Sequence, residues 1–102
     1  MGFLLMVVGT LHARLLVRES RTLKDKRQVV RSILDRLRSG FNVAAAEVGH
    51  LDDAKVIEIG VAAVGAETGP VRGVLQTIQE AMRKHPIAEY ISGEIAVGAE
   101  VV

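Results

Sequence analysis

Residues 11–40, LHARLLVRES RTLKDKRQVV RSILDRLRSG, change their apolar period midway, and that change decides the fold. Leu11, Ala13, Leu15 and Val17 alternate with His12, Arg14, Leu16 and Arg18, the period-two pattern of a strand with one buried face. From Thr22 onward the period lengthens. Leu23, Val30, Ile33, Leu34 and Leu37 recur at helical spacing and predict an amphipathic helix. Thr22 with Asp25 three residues later resembles a capping box, Asp standing in for the longer Glu. Gly40 falls where helix C-termini favour glycine. Lys26 lies inside the apolar stripe and is expected to reach out of it along its own aliphatic stem.

Working outward, Phe3 to Arg18 reads as one long strand, with Leu4 to Val8 apolar on both faces and expected to be covered on both. Asn42–Val48 and Ala54–Gly65 read as two more strands, and the polar turn Gly49-His50-Leu51-Asp52-Asp53 between them predicts a hairpin. Ile57, Ile59, Val61 and Ala63 share one face of the third strand, Glu58 and Gly60 the other. Thr68-Gly69-Pro70 opens a second helix, since a first turn tolerates the missing N–H of proline. Val71, Val74, Leu75, Ile78 and Met82 form its buried stripe, and Pro86 closes it. Tyr90–Val97 is a last strand, followed by a short tail, 98–102. The order β-α-β-β-α-β is that of a ferredoxin-like α+β sandwich. Right-handed crossovers then place both helices on one face of a four-stranded antiparallel sheet.

Composition agrees with one domain over residues 1–102. The chain is 49% hydrophobic and 25% charged, ordinary for a soluble globular protein. It has no cysteine, which removes disulfides, thiolate nucleophiles and cysteine metal sites and suits a cytoplasmic location. The longest apolar run, Phe3–Val8, is far short of the roughly 20 residues that span a bilayer.

Net charge is only +1, but it is unevenly placed. Residues 1–40 carry nine basic and three acidic residues, a net of +6, while residues 41–102 carry four and nine, a net of −5. At 100° per residue Lys24, Arg27, Arg31 and Arg38 fall along one flank of the first helix, and Arg18 and Arg21 precede it. Asp35 interrupts the row and has the spacing to pair with Arg31 or Arg38. A row of cations displaces the counterions of a nucleic-acid backbone, and the helix N-terminus is expected to add main-chain donors. The expectation is therefore phosphate contact with structured RNA or the ribosome through Arg18, Arg21, Lys24, Arg27, Arg31 and Arg38, without DNA specificity. The competing reading is a solvated helix face, in a homodimeric protein-interaction or small-ligand module.

Ser20-Arg21-Thr22-Leu23-Lys24-Asp25-Lys26-Arg27, with Leu34-Asp35-Arg36-Leu37-Arg38, Phe41-Asn42-Val43, Ala46-Glu47-Val48 and His50, resembles the YlxP-like family of small bacterial proteins. The resemblance spans residues 5–97. It implies a ferredoxin-like fold, and the family's genes often lie among those for transcription termination, translation initiation and ribosome maturation. That association raises the expectation of an RNA-linked role. Thr22 stands where the family favours Ser, which keeps the cap hydroxyl, and Leu51-Asp52-Asp53 departs from the family's loop.

Other constellations carry less. Phe3, Phe41 and Tyr90 are the only aromatics and none is central to strand one or three, so base stacking on the sheet is not expected. The open sheet face, with Met6, Val8 and Ala62, is expected to be a dimer surface instead. His50 with Asp52 and Asp53 could suggest a metal, but a polar turn explains them, and no cofactor is expected. His85 is placed to favour the negative end of the second helix as a cation. Arg18 or Arg21 with Asn42 echoes the arginine–asparagine pair of acylphosphatases, yet the glycine-rich signature of that family is absent. A non-catalytic protein is expected.

Overall fold

Alternation and helical periodicity resolve into six elements: β1 (Leu5–Leu16), α1 (Leu23–Gly40), β2 (Ala44–Gly49), β3 (Val56–Gly65), α2 (Thr68–Arg83) and β4 (Glu89–Val101). The computed structural model describes residues 5–101, so Phe3 and Leu4 of the expected first strand lie outside the described residues. The strands form one sheet in the order β2-β3-β1-β4, every neighbouring pair antiparallel. This is the ferredoxin-like α+β arrangement.

Central strands β1 and β3 supply the core. Leu11, Ala13, Leu15, Ile57, Ile59 and Val61 all point to one face and are buried. Val30, Ile33 and Leu37 of α1 pack there together with Val71, Leu75, Ile78 and Met82 of α2. At Gly9 the contact is closest: a Cβ there would stand 2.6 Å from Val71 Cγ1 and 2.7 Å from Leu75 Cδ1. Absence of that atom lets α2 seat against the main chain of β1.

Because both helices take the same side, the other face of the sheet stays bare. Val8 is half-buried and Met6 and Val64 are exposed, which corrects the expectation that the apolar start of β1 is covered on both faces. Several boundaries also differ: β1 ends at Leu16 rather than Arg18, β2 runs Ala44–Gly49 rather than Asn42–Val48, and β3 begins at Val56 rather than Ala54. Residues 98–101 continue β4, pairing with Leu5–Val8, because the first half of β1 otherwise lacks a partner for its main-chain groups on that side. Gly40 is the last helical residue rather than a left-handed stop. Phe41 caps α1 with extended backbone, donating its N–H to the Leu37 carbonyl.

Candidate nucleic-acid interface

The entry to α1 is built as its residues suggest. Thr22 is the N-cap, its hydroxyl accepting from the Asp25 N–H at 3.1 Å, while the Asp25 carboxylate accepts from the N–H groups of Arg21 and Thr22. Those main-chain donors, the Arg21 N–H first, hold the Asp25 carboxyl below its usual range. The Asp25 carboxylate thus stands beside this N-terminus and takes the N–H groups of the cap and of the residue before it. The preceding loop is fixed from the residue before β3, where Lys55 Nζ donates to the carbonyls of Arg18 and Ser20 at 2.6 and 2.7 Å.

Of the six basic residues expected to meet phosphate, Arg21, Lys24, Arg27 and Arg31 are exposed, and among the described residues none has a carboxylate within 4 Å of its cationic nitrogens. The other two are engaged. Arg18 Nε donates to Glu89 Oε2 at 2.7 Å across the ends of β1 and β4. Arg38 folds back onto edge strand β2, its Nη2 2.6 Å from the Ala45 carbonyl. Asp35 pairs with neither Arg31 nor Arg38 among the described residues, since Arg38 finds a main-chain acceptor instead. The expected cations that lack a carboxylate therefore run from Arg21, the residue before the cap, into the third turn of α1, and Arg36, Arg72 and Lys84 are likewise exposed without one among the described residues.

Lys26 corrects the sequence reading most. It does not reach solvent: its side chain is fully buried, and Nζ donates to the carbonyls of His50 at 2.7 Å and Val56 at 3.2 Å. Glu47 Oε2 stands 3.0 Å away, at an angle that makes it an ionic neighbour rather than a hydrogen-bond acceptor. An ammonium inside an apolar stripe needs such a set of oxygens, and the β2–β3 hairpin supplies them.

Sequence reasoning also missed a cluster on the bare face. Arg14 faces Glu58 directly across the β1–β3 ladder, His12 is one step along the same face, and His50 joins from the hairpin turn with φ of 54°. Glu58 Oε1 lies 2.7 Å from both Arg14 Nη2 and His50 Nδ1, and Oε2 lies 3.0 Å from His12 Nε2. Hydrogen bonds from His12 and then Arg14, against the opposing effect of burial, lower the Glu58 carboxyl from 4.5 to about 2. So stabilised a carboxylate is a weak base, suited to anchoring its neighbours rather than moving protons. Alternation marks His12, Arg14 and Glu58 as facing away from the core, but only the register and the turn at His50 bring the four together.

The remaining candidates separate. Asp53 Oδ1 accepts from the N–H groups of Lys55 and Val56, an ordinary turn role, while His50 turns to Glu58. Among the described residues no group of His, Asp or Glu is arranged to hold a metal ion, and no helix is long and apolar enough to cross a membrane. Asn42 precedes the strand end that pairs with Ala62, whereas Arg18 follows the strand end that pairs with Val56. The acylphosphatase-like pair is therefore split between opposite ends of the sheet. His85 is corrected too. Its Nδ1 accepts from the N–H groups of Ile87 and Ala88, and burial lowers its pKa, so it serves as a neutral acceptor rather than a cation at the helix end.

A two-layer α+β sandwich of ferredoxin-like topology with a basic first helix is the class of protein these features define. The family model DUF503, a protein of unknown function, matches residues 8–95, and the chain belongs to that family. It is similar to the uncharacterized protein YlxP of Bacillus subtilis (strain 168), 29% identical over 72 residues that cover 71% of this chain and 78% of the relative.

Proposed function

We propose that this protein is a non-catalytic accessory of RNA or the ribosome in the cytoplasm, gripping phosphates with the basic start of α1. The observation that carries this reading is the group Arg21, Lys24, Arg27 and Arg31, exposed and without a carboxylate within 4 Å of their cationic nitrogens among the described residues. Cations left unpaired on a rigid helix are disposed to meet a line of phosphates, and the engaged Arg18 and Arg38 shape the ends of that surface. With Phe41 and Tyr90 packed against the core, contact runs through charge and shape rather than base stacking.

Co-sedimentation with ribosomes at low and high salt tests it. The protein should travel with ribosomal particles at low salt and leave them as salt rises. A Lys24→Ala/Arg27→Ala/Arg31→Ala variant should stay in the supernatant throughout. Wild-type protein absent from every RNA-containing fraction at low salt would remove the proposal.

A further inference from the structure

The bare face of the sheet is not uniform: large apolar side chains stand at one end and small residues line the part beside them. Near one end Met6, Val8 and Val64 form an apolar ridge, with Val8 directly opposite Val64 in the β1–β3 ladder. Two residues further along the same strands the face sinks into a groove of about 420 Å³, floored by Ala44, Ala46, Gly60 and Ala62 and walled by Val48 and His12. Groove and ridge are thus separated by roughly 7 Å along the strand. Three of the six large apolar residues that the described structure leaves exposed, Met6, Val48 and Val64, belong to this one surface.

We propose that this face is the interface of a twofold-symmetric homodimer in which the ridge of each copy fills the groove of the other. A twofold contact uses the same patch twice, so the patch must contain both the projection and its recess, as this one does. Charge permits the burial as well. Arg14, His12 and His50 already converge on Glu58 within their own chain, so closing the face leaves those charges paired, and Glu94, opposite His12 on β4, is the described acid there without a cation within 4 Å. The area is adequate: three strands over nine residues and β2 over six, about 4.8 Å apart at about 3.3 Å per residue, project roughly 520 Å². Protruding side chains raise the accessible area toward the ~800 Å² per partner of a stable interface. The basic flank of α1 lies in the helical layer on the opposite side, so the dimer stands or falls independently of the RNA reading.

Sedimentation equilibrium from micromolar to hundreds of micromolar is the first measurement, with a dimer of twice the 11.0 kDa chain expected. Ala62→Arg in the groove and Val64→Asp on the ridge should each yield a monomer with unchanged far-ultraviolet circular dichroism. Because the chain has no cysteine, Val64→Cys and Ala46→Cys proteins can be mixed and oxidised without background. A disulfide-linked heterodimer between them is expected, and it keeps the test valid if a charged variant fails to fold. A wild-type monomer at every concentration overturns the proposal. So does a dimer that survives Ala62→Arg and gives no mixed disulfide. Lys24→Ala/Arg27→Ala/Arg31→Ala should leave the dimer mass unchanged.

Discussion

Lys26 Nζ on the first turn of α1 donates to the main-chain carbonyl of His50, 2.7 Å away in the β2–β3 turn, which joins the helical layer to the hairpin through the core. Glu47 and the Val56 carbonyl complete its surroundings, so the ammonium is partnered although no part of it reaches water. Breaking one side of such a buried pair costs about 3–5 kcal/mol, because the other charge is left stranded. Lys26→Ala should therefore lower unfolding stability by that amount in urea titrations. A Lys26→Met/Glu47→Leu double variant, which removes both charges, should regain most of it. An unshifted urea midpoint for Lys26→Ala would contradict the burial.

Glu58 predicts a specific acid sensitivity. Its folded-state carboxyl titrates near 2 against an ordinary 4.5. Between those values the unfolded chain binds the proton and the folded chain does not, so stability falls as pH drops from about 4.5 toward 2. Asp25, Asp53 and Glu89 are lowered in the same direction and add to the trend. Thermal melts across this range should show a shallower pH slope for Glu58→Gln than for the wild type.

His85 works in a higher window. Burial lowers its folded-state pKa below the ordinary 6.5, and its Nδ1 must stay unprotonated to accept from Ile87 and Ala88. Its contribution is complete above about 6.5 and is lost as pH falls through the lower folded value. Amide exchange at Ile87 and Ala88, corrected for intrinsic rates, should accelerate on acidification from pH 7.5 to 5.5. Unchanged protection would show that the ring is not their acceptor.

The RNA reading has a quantitative signature in salt. Each phosphate neutralised adds about 0.7 (single strand) to 0.9 (duplex) to the magnitude of the log affinity–log salt slope. Removing Lys24, Arg27 and Arg31 together should flatten the slope by about 2 to 3. Arg18→Ala/Arg38→Ala should change it much less, those two side chains being held by Glu89 and the Ala45 carbonyl. Equal flattening by both variants would move the contact surface away from the start of α1.

Gly9 is expected to resist enlargement. Its missing Cβ would press on Val71 and Leu75, so Gly9→Ala should destabilise by about 1–3 kcal/mol through overpacking. Gly69 has nothing within 4 Å of an added Cβ, so Gly69→Ala should not incur that overpacking cost. Paired calorimetric melts compare the two.

Much of this molecule is local and was legible from the chain. Alternation from Leu11 to Val17 set the face of β1, and Thr22 with Asp25 marked the start of α1 because a capping box closes within three residues. The basic flank followed from helical geometry, but its division did not. Arg38 is held by a carbonyl 7 residues away and Arg18 by a carboxylate 71 residues away, and only the second of these elements' positions makes either bond possible.

By itself the sequence determined the order of elements, the faces of strands and helices, and where positive charge gathers, since each depends on spacing along a few turns of chain. Tertiary structure decided that Lys26 is buried, that Glu58 binds His12, Arg14 and His50, and that one sheet face stays uncovered. Those outcomes rest on strand register and layer packing, which bring together groups such as Lys26 and Val56 from positions 30 residues apart. Periodicity says which way a side chain points, whereas only the folded chain says what it meets there.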